Sequence, residues 1–164
     1  HEKTSVECII PYLYKLNNPS MQAIVPFKIL NIDNEGFHLL AKMYINKKVA
    51  RVIIDTGASK TVFDKTRIEK FVKERNFHVH EKMSSGLGTN TMQSQTTVLK
   101  KMKIGEVEIE NYKAVLLDLS HVNESYAQIK LAAIDGVLGS DILMKYHAVI
   151  DYEKKVMKLK YSKR

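Results

Sequence analysis

Val52-Ile53-Ile54-Asp55-Thr56-Gly57-Ala58-Ser59 decides the reading of this chain. An apolar strand runs straight into a carboxylate, a hydroxyl and a glycine. Such a stretch holds a carboxyl group rigidly at a strand end, in a tight turn that faces a cleft. Thr56 can hydrogen-bond locally. Gly57, with no Cβ, lets the backbone come close to a neighbour.

Working outward, Val25, Phe27, Ile29 and Asn31 alternate with other residues from Ile24 on, which predicts a strand. Asp33-Asn34-Glu35-Gly36 is turn chemistry. Phe37 to Ile45 reads as a second strand. Asn46-Lys47-Lys48 turns the chain, and Val49 to Ile54 forms a third strand that delivers Asp55. Beyond the loop, Thr61-Val62-Phe63 returns as a strand. Thr66 and Glu69 have the spacing of a capping box, and Ile68, Phe71 and Val72 follow at helical spacing, so a helix is expected near 67–75. Val98 to Ile109 predicts a hairpin turning at Gly105, and Tyr112 to Leu119 an apolar strand. Ser120 to Leu131 is an irregular, partly helical excursion with Tyr126 and Ile129 on its apolar side.

A second cluster follows: Ile134-Asp135-Gly136-Val137-Leu138-Gly139. Ser140 or Asp141 can cap a short helix over Ile142 to Tyr146. His147 to Tyr152 and Val156 to Tyr161 close as a hairpin across Glu153-Lys154-Lys155, with Asp151 as its turn residue. The segment from Ile54 weakly echoes the one from Ile134.

The two clusters together resemble the retropepsin family, the single-domain aspartic proteases of retroviruses and their cellular and bacterial relatives. The resemblance covers roughly residues 24–161 in order of elements, and its sharp blocks are 52–64 and 134–152. It implies an all-β, acid-protease-type closed barrel with one or two short inserted helices. It implies Asp55 as the catalytic residue, Thr56, Gly57, Ala58 and Ser59 as the active-site loop, and Val137, Leu138 and Gly139 as its support. Residues 83–91, with Gly86, Leu87 and Gly88, fall where the family carries its substrate-covering flap. An extended polypeptide would bind between floor and flap. Two departures stand out. Retroviral members carry an Arg after the second glycine, used in an inter-subunit salt bridge, and here it is Ser140. The segment at 64–80 is an insertion.

Chemistry points the same way. Two carboxylates held close enough to share a proton can activate a water and polarise an amide carbonyl, with no metal, cofactor or covalent intermediate. Only one Asp-Thr-Gly is present, so the pair is expected from two chains in a homodimer, Asp55 with its copy about a two-fold axis. Asp135 is the in-chain alternative. It lacks a Thr-Gly sequel and reads better as a turn residue.

Composition bounds the rest. The chain has 164 residues, 45% apolar, which suits one folded domain. Residues 24–164 are read as that domain and 1–23 as an N-terminal extension containing Pro11 and the turn-forming Asn17-Asn18-Pro19. The chain starts with His1 rather than Met. Two readings stay open: a missing or modified natural N-terminus, or a start at Met21 with residues 1–20 foreign. No apolar run reaches the roughly 18 residues of a membrane span, and residues 1–20 show no signal peptide, so a soluble protein is expected, its compartment open.

Other chemistries fit poorly. Cys8, alone, allows no internal disulfide. His78 and His80 could share a strand face but have no carboxylate constellation for a metal. Gly57-Ala58-Ser59-Lys60-Thr61 lacks the phosphate-loop spacing, and Ser59 is not in a nucleophile elbow. The formal charge is +8. Lys154, Lys155, Lys158, Lys160, Lys163 and Arg164 crowd the C-terminal end, but Met157, Leu159 and Tyr161 alternate with Lys158 and Lys160. The lysines therefore read as the wet face of a strand, not a nucleic-acid site. The alternative function is a catalytically weak or silent peptide-binding module of the same fold.

Overall fold

The computed structural model describes residues 20–33, 36–72, 78–83 and 93–162. Cys8, Pro11, Asn17-Asn18-Pro19, residues 84–92 with Gly86, Leu87 and Gly88, and Lys163 and Arg164 lie outside these. Ten strands follow in order: β1 (Met21–Asn31), β2 (Phe37–Ile45), β3 (Lys48–Ile54), β4 (Val62–Asp64), β5 (His78–Met83), β6 (Gln93–Ile104), β7 (Val107–Leu117), β8 (Gly136–Leu138), β9 (Val149–Asp151) and β10 (Val156–Tyr161). Two helices interrupt them, α1 (Ser120–Gln128) and α2 (Ser140–Lys145).

The sheet order is β5-β6-β7-β4-β8-β3-β2-β1-β10-β9, and a further pairing of β6 with β2 closes six of the strands into a barrel. The expected all-β barrel with one or two short helices is what forms, with two helices among the described residues. The β2–β3 turn shows why: Asn46 and Lys47 both have positive φ, 47° and 70°, as a two-residue hairpin turn that matches strand twist requires. In β10, Met157 and Leu159 are fully buried and Lys160 is exposed, as the alternation implies.

Burial explains the unbroken apolar run before Asp55. Val52 and Ile54 face the main core, with Leu39, Ala41, Phe63 and Leu138. Ile53 and Leu40 point the other way, into a second core with Leu119, Tyr126 and Ile134. The strands that carry the loop are thus covered on both faces, which favours continuous apolar sequence over alternation. The α1 excursion supplies the outer cover. Asn123 ties its far end by a reciprocal pair of bonds with the Ile134 backbone, 2.8 and 3.2 Å. The Tyr126 hydroxyl and His38 Nδ1 share a hydrogen bond of 2.5 Å.

Three local expectations are corrected. Among the described residues of 67–75 there is only a single 3-10 turn, Ile68–Lys70. Thr66 does not cap it: its amide and hydroxyl both donate to Asp64, at 2.8 and 2.6 Å. Asp135 is more than a turn residue. It is 4% exposed; its Oδ2 accepts from the Arg51 amide at 2.9 Å and its Oδ1 from Arg67 Nε at 2.8 Å. The bond from the Arg51 amide ties the base of β8 to β3, and the ion pair ties it to the turn at Arg67. Neither Ser140 nor Asp141 caps α2, whose N-cap residue is Gly139.

Candidate active site

β3 and β8 run parallel, with Val52 opposite Gly136, Ile53 opposite Val137 and Ile54 opposite Leu138. The ladder continues one step past β3, where the Asp55 amide donates to the Leu138 carbonyl at 3.0 Å. The two sequence clusters therefore meet, and the loop 55–61 springs from the paired strand ends.

Asp55 is exposed. Its Oδ1 accepts from the amides of Gly57, 2.8 Å, and Ala58, 3.3 Å. The bonds orient the carboxylate, while Oδ2 has no partner among the described residues. A Cβ at Gly57 would lie 3.3 Å from Asp55 Oδ1, a tight contact that would press on the carboxylate.

The loop is held from below by the residues after β8. The Ser140 amide donates to the Ala58 carbonyl at 2.7 Å, and its hydroxyl to the Thr56 carbonyl at 2.8 Å. Ser140, read in the sequence as a missing Arg and a candidate helix cap, is thus an in-chain strut of the loop. The Gly139 amide donates to Thr61 Oγ1 at 2.9 Å. Asp141 Oδ1 accepts from the Thr61 amide and hydroxyl, both 2.8 Å, and Oδ2 from the Tyr112 hydroxyl at 2.7 Å. Thr61, Tyr112 and Asp141 were not visible as site residues. The one available signal was Thr61, a polar residue at the head of an apolar strand, and it is 0% exposed.

Burial pushes the Asp141 carboxyl up, but the bonds from Tyr112 and Thr61 outweigh it and hold it below its ordinary value near 3.8. Burial, reinforced by the bond to Asp141 and its charge, pushes the Tyr112 hydroxyl up. A carboxyl depressed by folding contributes stability above its unfolded value, and that contribution disappears as pH falls through the folded one. Urea midpoints measured from neutral to acid pH should therefore fall less steeply below the ordinary carboxylate range in Asp141→Asn than in wild type. Parallel curves would remove Asp141 from the acid response.

Asp135 cannot join Asp55 in one chain. It stands level with Arg51, four residues back along β3, which is about 13 Å away at the usual strand rise. Gly86, Leu87 and Gly88 lie outside the described residues. Among the described residues no group of three or more His, Cys, Asp or Glu is placed to hold a metal, and no helix is long and apolar enough to cross a membrane.

A closed six-stranded barrel whose Asp-Thr-Gly loop rests on a parallel Val-Leu-Gly strand defines the retropepsin-like class. The chain belongs to the aspartyl protease family, whose sequence model matches residues 41–142. Among solved structures, it is similar to a retropepsin-like aspartic protease from Rickettsia conorii, with a TM-score of 0.54 at 18% identity over 90% of this chain and 96% of the other. It is also similar to the retroviral protease-like domain of Ddi1 from Leishmania major, with a TM-score of 0.50 at 16% identity over 74% and 87% of the two chains. No curated protein matches the sequence.

Proposed function

We propose that this chain is an aspartic endopeptidase that works as a homodimer, with Asp55 of each copy forming the catalytic pair. One observation carries the reading: an exposed carboxylate at a paired strand end, with one oxygen oriented by two loop amides and the other free of partners among the described residues. A second carboxylate brought against that free oxygen would share a proton with it and bind a water between them. The water is the nucleophile, the shared proton serves the scissile carbonyl, and the peptide lies as an extended strand across the pair. Support for the dimer is the single Asp-Thr-Gly, with Asp135 committed to Arg51 and Arg67. Thr56, Gly57, Ala58 and Ser59 would form the floor, Val137, Leu138 and Gly139 its support, and Gly86, Leu87 and Gly88 the cover.

The test is cleavage of a mixed peptide library, read by mass spectrometry, from acid to neutral pH. Cuts at defined positions support the reading. Tight peptide binding without any cut would mean a binding module instead. The dimer makes its own demand: specific activity should fall on dilution, with rate rising as the square of enzyme concentration at the low end. Full specific activity in protein that sediments as a monomer would rule out a shared pair.

A further inference from the structure

A second groove lies away from Asp55. Its wall is residues 106–110, five in a row, and it is completed by Lys145 and Tyr146 at the end of α2 and by Tyr161 and Ser162 at the end of β10; it encloses about 570 Å3. Val107 to Glu110, four consecutive strand residues, can border one groove only along the edge of the strand, because their side chains alternate between faces. The edge is open. β7 pairs with β6 down to Ile104 opposite Val107, but on its other side it meets β4 only at Val115–Leu117. Among the described residues nothing bonds to the backbone on that side of Val107–Glu110. Asn111, with φ of 50°, ends the straight run.

The charge of this edge is opposite to that of the whole chain. The chain carries 26 basic and 18 acidic residues, yet the groove has Glu106, Glu108 and Glu110 against Lys145 alone. Glu108 is paired with Lys101 at 2.8 Å, and Lys145 lies over the Tyr146 ring, 5.5 Å from its centroid. Lys101 stands opposite Glu110 and Lys103 opposite Glu108 across the ladder, so the row of Glu106, Glu108 and Glu110 lies between those lysines and the open edge. Val107 and Ile109 are buried beneath it, so the strand is firmly seated.

We infer that the β7 edge is a second peptide site, which takes an extended segment with basic side chains by strand addition. The backbone of the incoming segment pairs with Val107–Glu110, and its Lys or Arg residues meet Glu106 and Glu110. The site is independent of whether Asp55 cuts.

The test uses the full chain carrying Asp55→Asn, so that the probe survives, and a short labelled peptide of alternating Lys and Val. Saturable binding is expected, weakened about tenfold or more by Glu106→Lys with Glu110→Lys, as loss of paired charges at an interface implies. Circular dichroism checks that the exposed changes leave the fold intact. Amide exchange should slow, on adding peptide, at the amides of 107–110 that point away from β6. Absence of binding, equal binding by a Glu-Val peptide, or protection centred on 55–61 instead would overturn the proposal. So would protection of those same amides in the free protein, whether by its own residues or by a second copy.

Discussion

Asp55→Asn should abolish peptide cleavage and leave the fold in place. The substitution keeps the side-chain shape, and an amide oxygen can still accept from Gly57 and Ala58, so the loop keeps its geometry. What disappears is the ability to take and give a proton. A positioned acid or base contributes about 10²–10⁴-fold, and in a homodimer one substitution removes both members of the pair. Cleavage should fall below detection, while thermal unfolding moves little, as expected of an exposed site. Unchanged turnover would sink the assignment of Asp55. Loss of turnover together with loss of the fold would instead make Asp55 a structural turn residue.

Gly139→Ala should be the most damaging small substitution near the site. Gly139 has φ of −98° and ψ of 178°, a conformation any residue adopts, so the need for glycine is steric. A Cβ there would lie 2.5 Å from both the carbonyl carbon and oxygen of Lys60 and 2.9 Å from the Ala58 oxygen. All three are backbone atoms and cannot rotate away. Relief requires β8 and the loop 55–61 to separate, which strains the bonds from Gly139 to Thr61 and from Ser140 to Ala58. Overpacking costs about 1–3 kcal/mol and occasionally more, and the upper end is expected here because nothing flexible can yield. Denaturant midpoints measure the loss. Activity should drop further than stability, since the displaced loop is the one that carries Asp55. A variant as stable as wild type would show that the approach of the two segments relaxes without cost.

The strand run into Asp55 and the Val137-Leu138-Gly139 block were legible because each is a local pattern. So were the Asn46-Lys47 turn and the alternation in β10. The misread residues share a different property: their partners are distant. Asp135 looked like a turn residue because its partners Arg51 and Arg67 lie 84 and 68 positions away. Asp141 looked like a helix cap because Thr61 and Tyr112 are 80 and 29 positions off. Thr66 and Glu69 satisfied a helix rule, but buried Asp64 competed for the same Thr66 groups and won. No local rule says which carboxylate will find a remote donor. Even the continuous burial of Val52–Ile54 depends on α1, a segment with weak helical signal that earns its place by covering Ile53 and Leu40.

The parallel pairing of β3 with β8 also sets a timetable. Residues 52 and 136, like 51 and 135, are 84 positions apart, and nothing in between can substitute for the missing strand. Long-range parallel contacts form slowly, since the chain must surrender the entropy of a large loop before any bond is gained. During synthesis Asp55-Thr56-Gly57 leaves the ribosome well before Gly139, Ser140 and Asp141 do. Until those last residues emerge, the Thr56 and Ala58 carbonyls and Thr61 have no struts. The loop that carries Asp55 is therefore assembled late, only after residues 139–141 have emerged.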